Sequence, residues 1–373
     1  MNRLLQPFVL AVTVLVAGAY LYVALRLASG PWGRIALAIP FVFVWIVPVI
    51  YWTRRRDGKD TWLDEAAHQA SYLSMAWVSF ILVGTLSRDL ALLITDALSF
   101  GEAHMIVVQD GIPVVFAASF LAMAVGALTA SRGPRVEEVV VRVPALHPDL
   151  NGFRIAQISD LHVGRNIRRA YVERVVERVR TLAPDFVALT GDMVDGAVER
   201  LAQDVAPLAA LVVNYPVFFV LGNHDCYSGA REWISHFARM GARVLLNEHT
   251  VFRKGVATVI VGGVVDPAFA DARPEISLEN APNADFRVLL AHNPKFAPLG
   301  AQSGFDLQLS GHTHGGQFFP WTLAVRLVHA PHVAGLSRER DMWVYVSAGT
   351  GTWGPPVRFG TSPEITLIRL MPA

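Results

Sequence analysis

The sequence predicts two parts in series: an all-α membrane region of about four helices over residues 1–131, then a layered α/β domain over residues 136–373. Two observations predict this. Long apolar runs crowd the first third of a 373-residue chain that is 53% hydrophobic overall, while most charged residues follow residue 131. After Val136, short β-rich runs alternate with amphipathic helical stretches, the pattern of helices laid over sheets.

In the first part, Leu4 to Ala24, Ile35 to Trp52, Ala70 to Leu86 and Ile112 to Ala130 each approach the roughly 20 apolar residues that cross a hydrocarbon core as helix. Arg88 and Asp89 crowd the third, so Leu90 to Ile94 reads as an interfacial extension or part of a re-entrant segment. A cleaved signal peptide fits the first run poorly, because no small-residue cleavage site follows and three more apolar segments do. Cytoplasmic loops retain Lys and Arg. Arg54, Arg55, Arg56 and Lys59 therefore put the second loop inside, and with four spans Arg3, Arg132 and Arg135 join them, leaving Arg26, Arg34 and Arg88 outside. The expectation is a multi-pass cell-membrane protein with both termini and the α/β domain cytoplasmic.

In the second part, Val136 to Val143 alternates like an edge strand. Phe153 to Ser159, Phe186 to Thr190, Val217 to Leu221, Val256 to Val264, Phe286 to Ala291, Phe305 to Leu309, Trp343 to Ser347 and Glu364 to Leu370 read as further strands. Val172, Val175, Val176 and Val179 recur at helical spacing against Glu173, Arg174, Glu177 and Arg178, a stripe that packs on a sheet and carries no chemistry. The formal net charge of +1 gives no basic surface for nucleic acid. Cys226 is the single cysteine, so no intrachain disulfide forms.

The chemistry lies at the strand ends. Five strands run into Asp160-Leu161-His162, Gly191-Asp192-Met193-Val194-Asp195, Gly222-Asn223-His224-Asp225, His292, and Gly311-His312-Thr313-His314-Gly315-Gly316. Ligands of open α/β sheets bind beyond the carboxyl ends of strands, so these segments can converge. Imidazoles and carboxylates meeting there suggest a metal site. Singly, an Asp after a strand is a turn residue and a lone His a surface residue; five such ends together are harder to dismiss. Glycine before Asp192, Asn223 and His312 fits tight turning. The alternation in Asp160-x-His162 and His312-x-His314 would put each pair on one side of an extended chain.

The set DLH, GDMVDG, GNHD, a single downstream His and GHTHGG resembles the calcineurin-like metallophosphoesterase superfamily over about residues 150–370. The tail from Ala348 to Leu370 resembles its bacterial, membrane-associated, phosphodiesterase-like branch. The resemblance implies an α-β-β-α sandwich and two divalent ions, for which Mn, Fe or Zn suits the mixed ligands better than calcium. It implies that Asp160, His162 and His314 hold one ion, that Asn223, His292 and His312 hold the other, and that Asp192 bridges them. Two such ions share and activate a water as hydroxide for in-line attack on phosphorus. His224 would protonate the leaving oxygen, with Asp195 orienting it.

Protein phosphatases of this superfamily carry Arg after the GDxVD element and before GNHE, where this chain has Gly196 and Leu221. Lacking those guanidinium forks, the site suits a phosphodiester or pyrophosphate better than a dianionic monoester. A lipid-linked substrate is a candidate because the domain is anchored. Arg358 reads as a surface arginine in preference to a phosphate contact, and Cys226 as packing rather than a nucleophile. The competing reading is a non-catalytic membrane sensor or scaffold that binds a phospholigand; the complete ligand set opposes it.

Overall fold

A computed structural model describes residues 7–47 and 62–373. The chain divides into two compact units, Met1–Leu128 with Gly354–Phe359, and Thr129–Trp353 with Gly360–Ala373.

The first unit contains helices α1 (Pro7–Leu27), α2 (Pro31–Phe43), α3 (Trp62–Ala97) and most of α4 (Gly101–Ser131). Among the described residues, three helices are long and apolar enough to cross a membrane: Val9–Leu27, Trp62–Ala97 and Gly101–Ser131. Helix α2 is shorter than a span, and the expected second crossing, Ile35 to Trp52, runs past Val47 and in that part lies outside the described residues. So do Arg3, Arg54, Arg55, Arg56 and Lys59.

The re-entrant reading is corrected. Residues 62–97 form one unbroken helix of 36 residues, about 54 Å at the α-helical rise, so Leu90 to Ile94 continues the third segment. Its charges are paired: Asp89 accepts from Arg26 Nε at 2.6 Å and from the Tyr22 hydroxyl at 2.7 Å. Arg358 also departs from expectation. It is fully buried, not a surface residue, and its backbone N–H donates to Gly126 O at 2.9 Å within this unit.

In the second unit, twelve strands build two six-stranded sheets. The first sheet uses β1 (Arg135–Val143), β2 (Arg154–Ile158), β3 (Phe186–Thr190), β4 (Val217–Val220), β5 (Arg243–Val244) and β12 (Glu364–Pro372) in the order β1-β12-β2-β3-β4-β5. The second uses β6 (Glu248–Lys254), β7 (Ala257–Gly263), β8 (Phe286–Leu290), β9 (Leu307–Ser310), β10 (Gly335–Glu339) and β11 (Met342–Val346) in the order β10-β11-β9-β8-β7-β6. Strands β2, β3 and β4 are parallel to one another, as are β7, β8 and β9. Each parallel run therefore sends all its carboxyl ends to one edge.

Side chains from both sheets form a shared core, with Phe153, Phe186 and Val220 from one and Val261, Val288 and Leu309 from the other. Helix α5 (Arg169–Leu182) covers the outer face of the first sheet with Val172, Val175, Val176 and Val179, all buried. Burying each such side chain contributes about 1.5–3 kcal/mol. On the far side, Leu289, Val344 and Val346 pack with Ala297 and Phe305 from the connecting helical segment. The layers are thus helix, sheet, sheet, helix.

Candidate metal centre

The strand-end segments do converge. Ligand atoms of Asp160, His162 and His314 lie within 4.8 Å of one another, as do those of Asp192, His292 and His312. A third group shares His162 with Asp195 and His224. Asn223 Oδ1 lies 3.0 Å from His312 Nδ1. Asp192, in the second group, also reaches toward the first, its Oδ2 lying 3.2 Å from His292 Nε2 and 3.9 Å from His162 Nε2.

The reason for convergence differs from the sequence expectation. Asp160 and His162, and likewise His312 and His314, do not lie on extended strand. All four, together with Asp192, have left-handed backbone, with φ from 51° to 73°. Non-glycine residues there carry strain of about 1 kcal/mol or more each, and such outliers cluster at functional sites. All three preceding glycines serve close approach. A Cβ on Gly191 would overlap the Gly222 backbone and His292 Nδ1. A Cβ on Gly222 would overlap the backbone nitrogen and carboxylate of Asp192, and one on Gly311 would overlap Ser159 Oγ and the Asp160 carboxylate.

Asp225, to which sequence reasoning gave no role, is the hinge of the arrangement. Fully buried, it accepts backbone N–H groups from Asp192 and Gly222 on Oδ2, each at 2.8 Å, and from Met193 and Val194 on Oδ1 at 2.8 and 3.1 Å. One side chain thereby binds the loop after β3 to the loop after β4. The backbone of His224 answers by donating to Asp192 Oδ1 at 2.7 Å. Position three after the loop glycine, as in a helix capping box, was the available signal.

Asp195 serves two imidazoles. Its Oδ1 lies 2.9 Å from His162 Nδ1 and 2.8 Å from His224 Nδ1. Desolvation works against its charge, but His162 and His224 hold its pKa down to about 2. Burial likewise opposes a charged His162, yet Asp195, Asp192 and Asp160 push it up to about 9. His292 rises to about 10 against the same burial cost, chiefly through Asp192. Burial lowers His312 to about 3, and the charge of His292 adds to this. Burial pushes the Asp160 carboxyl up, with His292 working against it and the nearby Asp192 charge adding to it.

These residues fit cations. His292 Nδ1 bonds Thr190 O at 2.8 Å, which fixes the proton there and leaves a buried Nε2 with no hydrogen-bond partner, aimed at Asp192. His162 Nδ1 faces Asp195, and its Nε2 lies 3.0 Å from His314 Nε2. A divalent ion would take the place of the extra proton that the raised pKa values of His162 and His292 describe, and histidines oriented through their other nitrogen are the usual metal ligands.

Cys226 is partly buried and packs against the core under α5. Burial, then Asp266, Asp225 and Asp192, push its thiol up to about 12. The aromatic residues Tyr227 and Trp353, each 5.8 Å from the His224 ring between centroids, carried no signal in the sequence.

Comparison with known proteins agrees with this geometry. Residues 153–316 match the model of the calcineurin-like phosphoesterase family. A bovine transmembrane protein with metallophosphoesterase domain is 32% identical over 322 residues, covering 82% of this chain and 69% of the relative. The zebrafish protein of the same description is 35% identical, over 66% of this chain and 60% of its own length. An uncharacterized metallophosphoesterase of Campylobacter jejuni is 28% identical over 88% of both chains.

Proposed function

The chain belongs to the calcineurin-like metallophosphoesterase family and is a membrane-associated, metal-dependent hydrolase of phosphoesters; from that premise we propose that its substrates are phosphodiesters or pyrophosphates, with lipid-linked ones the first to try. The observation that carries the proposal is the pair of Asp/His groups flanking Asp192, with His224 held beside them by Asp195.

Asp160, His162 and His314 would hold one divalent ion and Asn223, His292 and His312 a second, with Asp192 common to both. When bound, two such ions lower the pKa of water and neutralise phosphoryl oxygens during in-line displacement. The protein's own contribution is positioning. Asp195 accepts a hydrogen bond from His224 Nδ1–H, which orients the ring with Nε2 toward the substrate. From there Nε2 delivers its proton to the leaving oxygen. Gly196 and Leu221 occupy places where phosphoprotein phosphatases have arginines, which supports a diester or pyrophosphate over a phosphoprotein monoester. The run Arg54, Arg55, Arg56 and Lys59, with Arg132 and Arg135, supports a cytoplasmic metal domain over residues 136–373.

The test is hydrolysis of a chromogenic phosphodiester and its matching monoester by the full-length protein in detergent, with and without manganese. Manganese-dependent turnover favouring the diester, lost in Asp192→Ala and His224→Ala, is the expected result. Monoester preference would overturn the substrate assignment, and turnover unchanged in Asp192→Ala would overturn the site.

A further inference from the structure

We propose that Tyr227 and Trp353 form a leaving-group subsite beside His224, one that takes a planar aromatic ring attached close to the phosphorus. This rests on His224 being the group that faces the leaving oxygen. The His224 ring has Tyr227 on one contact and Trp353 on another, both at 5.8 Å between centroids, tilted 59° and 74° from the imidazole plane. Whatever departs toward His224 Nε2 therefore enters a space edged by two large aromatic side chains.

Both are 54% exposed, although they lie next to a buried polar cluster. A Trp and a Tyr half in water, with neither needed to fill the core, offer aromatic surface to a ligand.

Trp353 is also held in place through its backbone. Gln317, only 6% exposed, pairs its amide with the Trp353 backbone: Nε2 donates to Trp353 O at 2.9 Å, and Oε1 accepts Trp353 N–H at 2.8 Å. Gln317 itself sits three residues after His314, with left-handed backbone at φ 58°. Its N–H donates to His314 O at 3.0 Å, and its carbonyl accepts the Thr361 hydroxyl. The loop bearing the His312 and His314 imidazoles thus fixes the tryptophan loop by two hydrogen bonds. Tyr227 closes the five-residue helix that begins at Asn223 and includes His224. Each wall is thereby tied to a segment of the metal centre. Aromatic faces on rigid backbone favour flat, polarisable rings over saturated rings of equal size, because stacking adds to simple burial.

The subsite is tested by calorimetric binding of benzylphosphonate and cyclohexylmethylphosphonate to full-length, manganese-loaded protein. The two probes share charge and nearly share size, and differ in aromaticity. The wild type is expected to bind the benzyl probe about fivefold more tightly, the scale of one aromatic contact. Trp353→Leu and Tyr227→Leu should bring the two within about twofold, whereas Trp353→Phe keeps the preference. Gln317→Ala, acting through Trp353, should weaken the benzyl probe and leave the saturated one unchanged. Equal affinity in the wild type, no binding of either probe, or an equal loss for both probes in the leucine variants would overturn the subsite. Binding is read without turnover. A retained preference in a protein that hydrolyses no diester would sink the catalytic assignment and leave the subsite standing.

Discussion

Asp192 and Asp225 hold each other's loops: Asp225 Oδ2 accepts the backbone N–H of Asp192 at 2.8 Å, and Asp192 Oδ1 accepts the backbone N–H of His224, next to Asp225, at 2.7 Å. This exchange fixes the position of the Asp192 carboxylate, which the proposed function makes a ligand common to both ions. Asp225→Asn keeps the shape but replaces one acceptor oxygen with a donor that meets backbone N–H groups. It should cost about 3 kcal/mol, in the range for a buried polar group left facing the wrong partner. Thermal melting of the detergent-solubilised protein reads the loss, and manganese content should fall with it. A variant that melts like wild type would remove Asp225 from this role.

Gly222→Ala should act on the same residue by another route. Its new Cβ overlaps the Asp192 carboxylate and backbone nitrogen, so Asp192 must move. Metal content measured by mass spectrometry is expected to fall and diester turnover to drop by at least about tenfold, the scale of an ångström-level misplacement. Full activity would mean that the β3 and β4 loops separate at no cost.

Asp195 and His224 should part company when tested separately. His224→Ala should lower kcat by about 10²–10³, within the span of general acid catalysis, while metal content stays near that of the wild type. Asp195→Asn should lower kcat and also reduce metal occupancy, because the same oxygen orients His162 at 2.9 Å. Equal metal content in the two variants would show that His162 needs no second partner.

Cys226 supplies a pH test. Its thiol is raised to about 12 by burial and by Asp266, Asp225 and Asp192. A raised folded value means less thiolate in the folded protein than in the unfolded chain at every pH below about 12. Iodoacetamide labelling followed by mass spectrometry should therefore be much slower in the native protein between pH 7 and 10, and should accelerate on unfolding. Fast native labelling at pH 8 would contradict the geometry.

A reporter fused after Arg56 and another at the C-terminus should give the same, cytoplasmic result, since two span-length helices, α3 and α4, separate those positions. A C-terminal reporter active only outside the membrane would reverse the assignment.

Much of this was legible in the chain because strand cores and strand ends obey simple rules. Phe186 to Thr190 coincides with β3 residue for residue, and the valine stripe of α5 is buried as its spacing demands. Strands β5, β6 and β10 escaped. β5 has two residues, and β6 and β10 are polar and half-exposed, so neither shows a buried alternation. The short α2 ends at Phe43, within the described residues, and the part of the expected apolar run past Val47 lies outside them. At the centre, residue types at strand ends were enough to name the imidazoles and carboxylates. The bonds from Asp225 to Asp192 and from Gln317 to Trp353 were not readable, because they join residues 33 and 36 positions apart whose proximity the fold creates.

The left-handed backbone at Asp160, His162, Asp192, His312 and His314 bears on when in the protein's life the ions are acquired. Five strained residues are kept in place by two apolar sheets, so the domain has a large core beside its ligand loops, unlike small metal-nucleated domains that stay unfolded until loaded. Loading is then expected to be possible after folding, and return of manganese to chelator-treated protein that still gives a folded circular dichroism spectrum checks it. Cells starved of one metal should accumulate a folded, inactive pool that revives within minutes of resupply, without new synthesis.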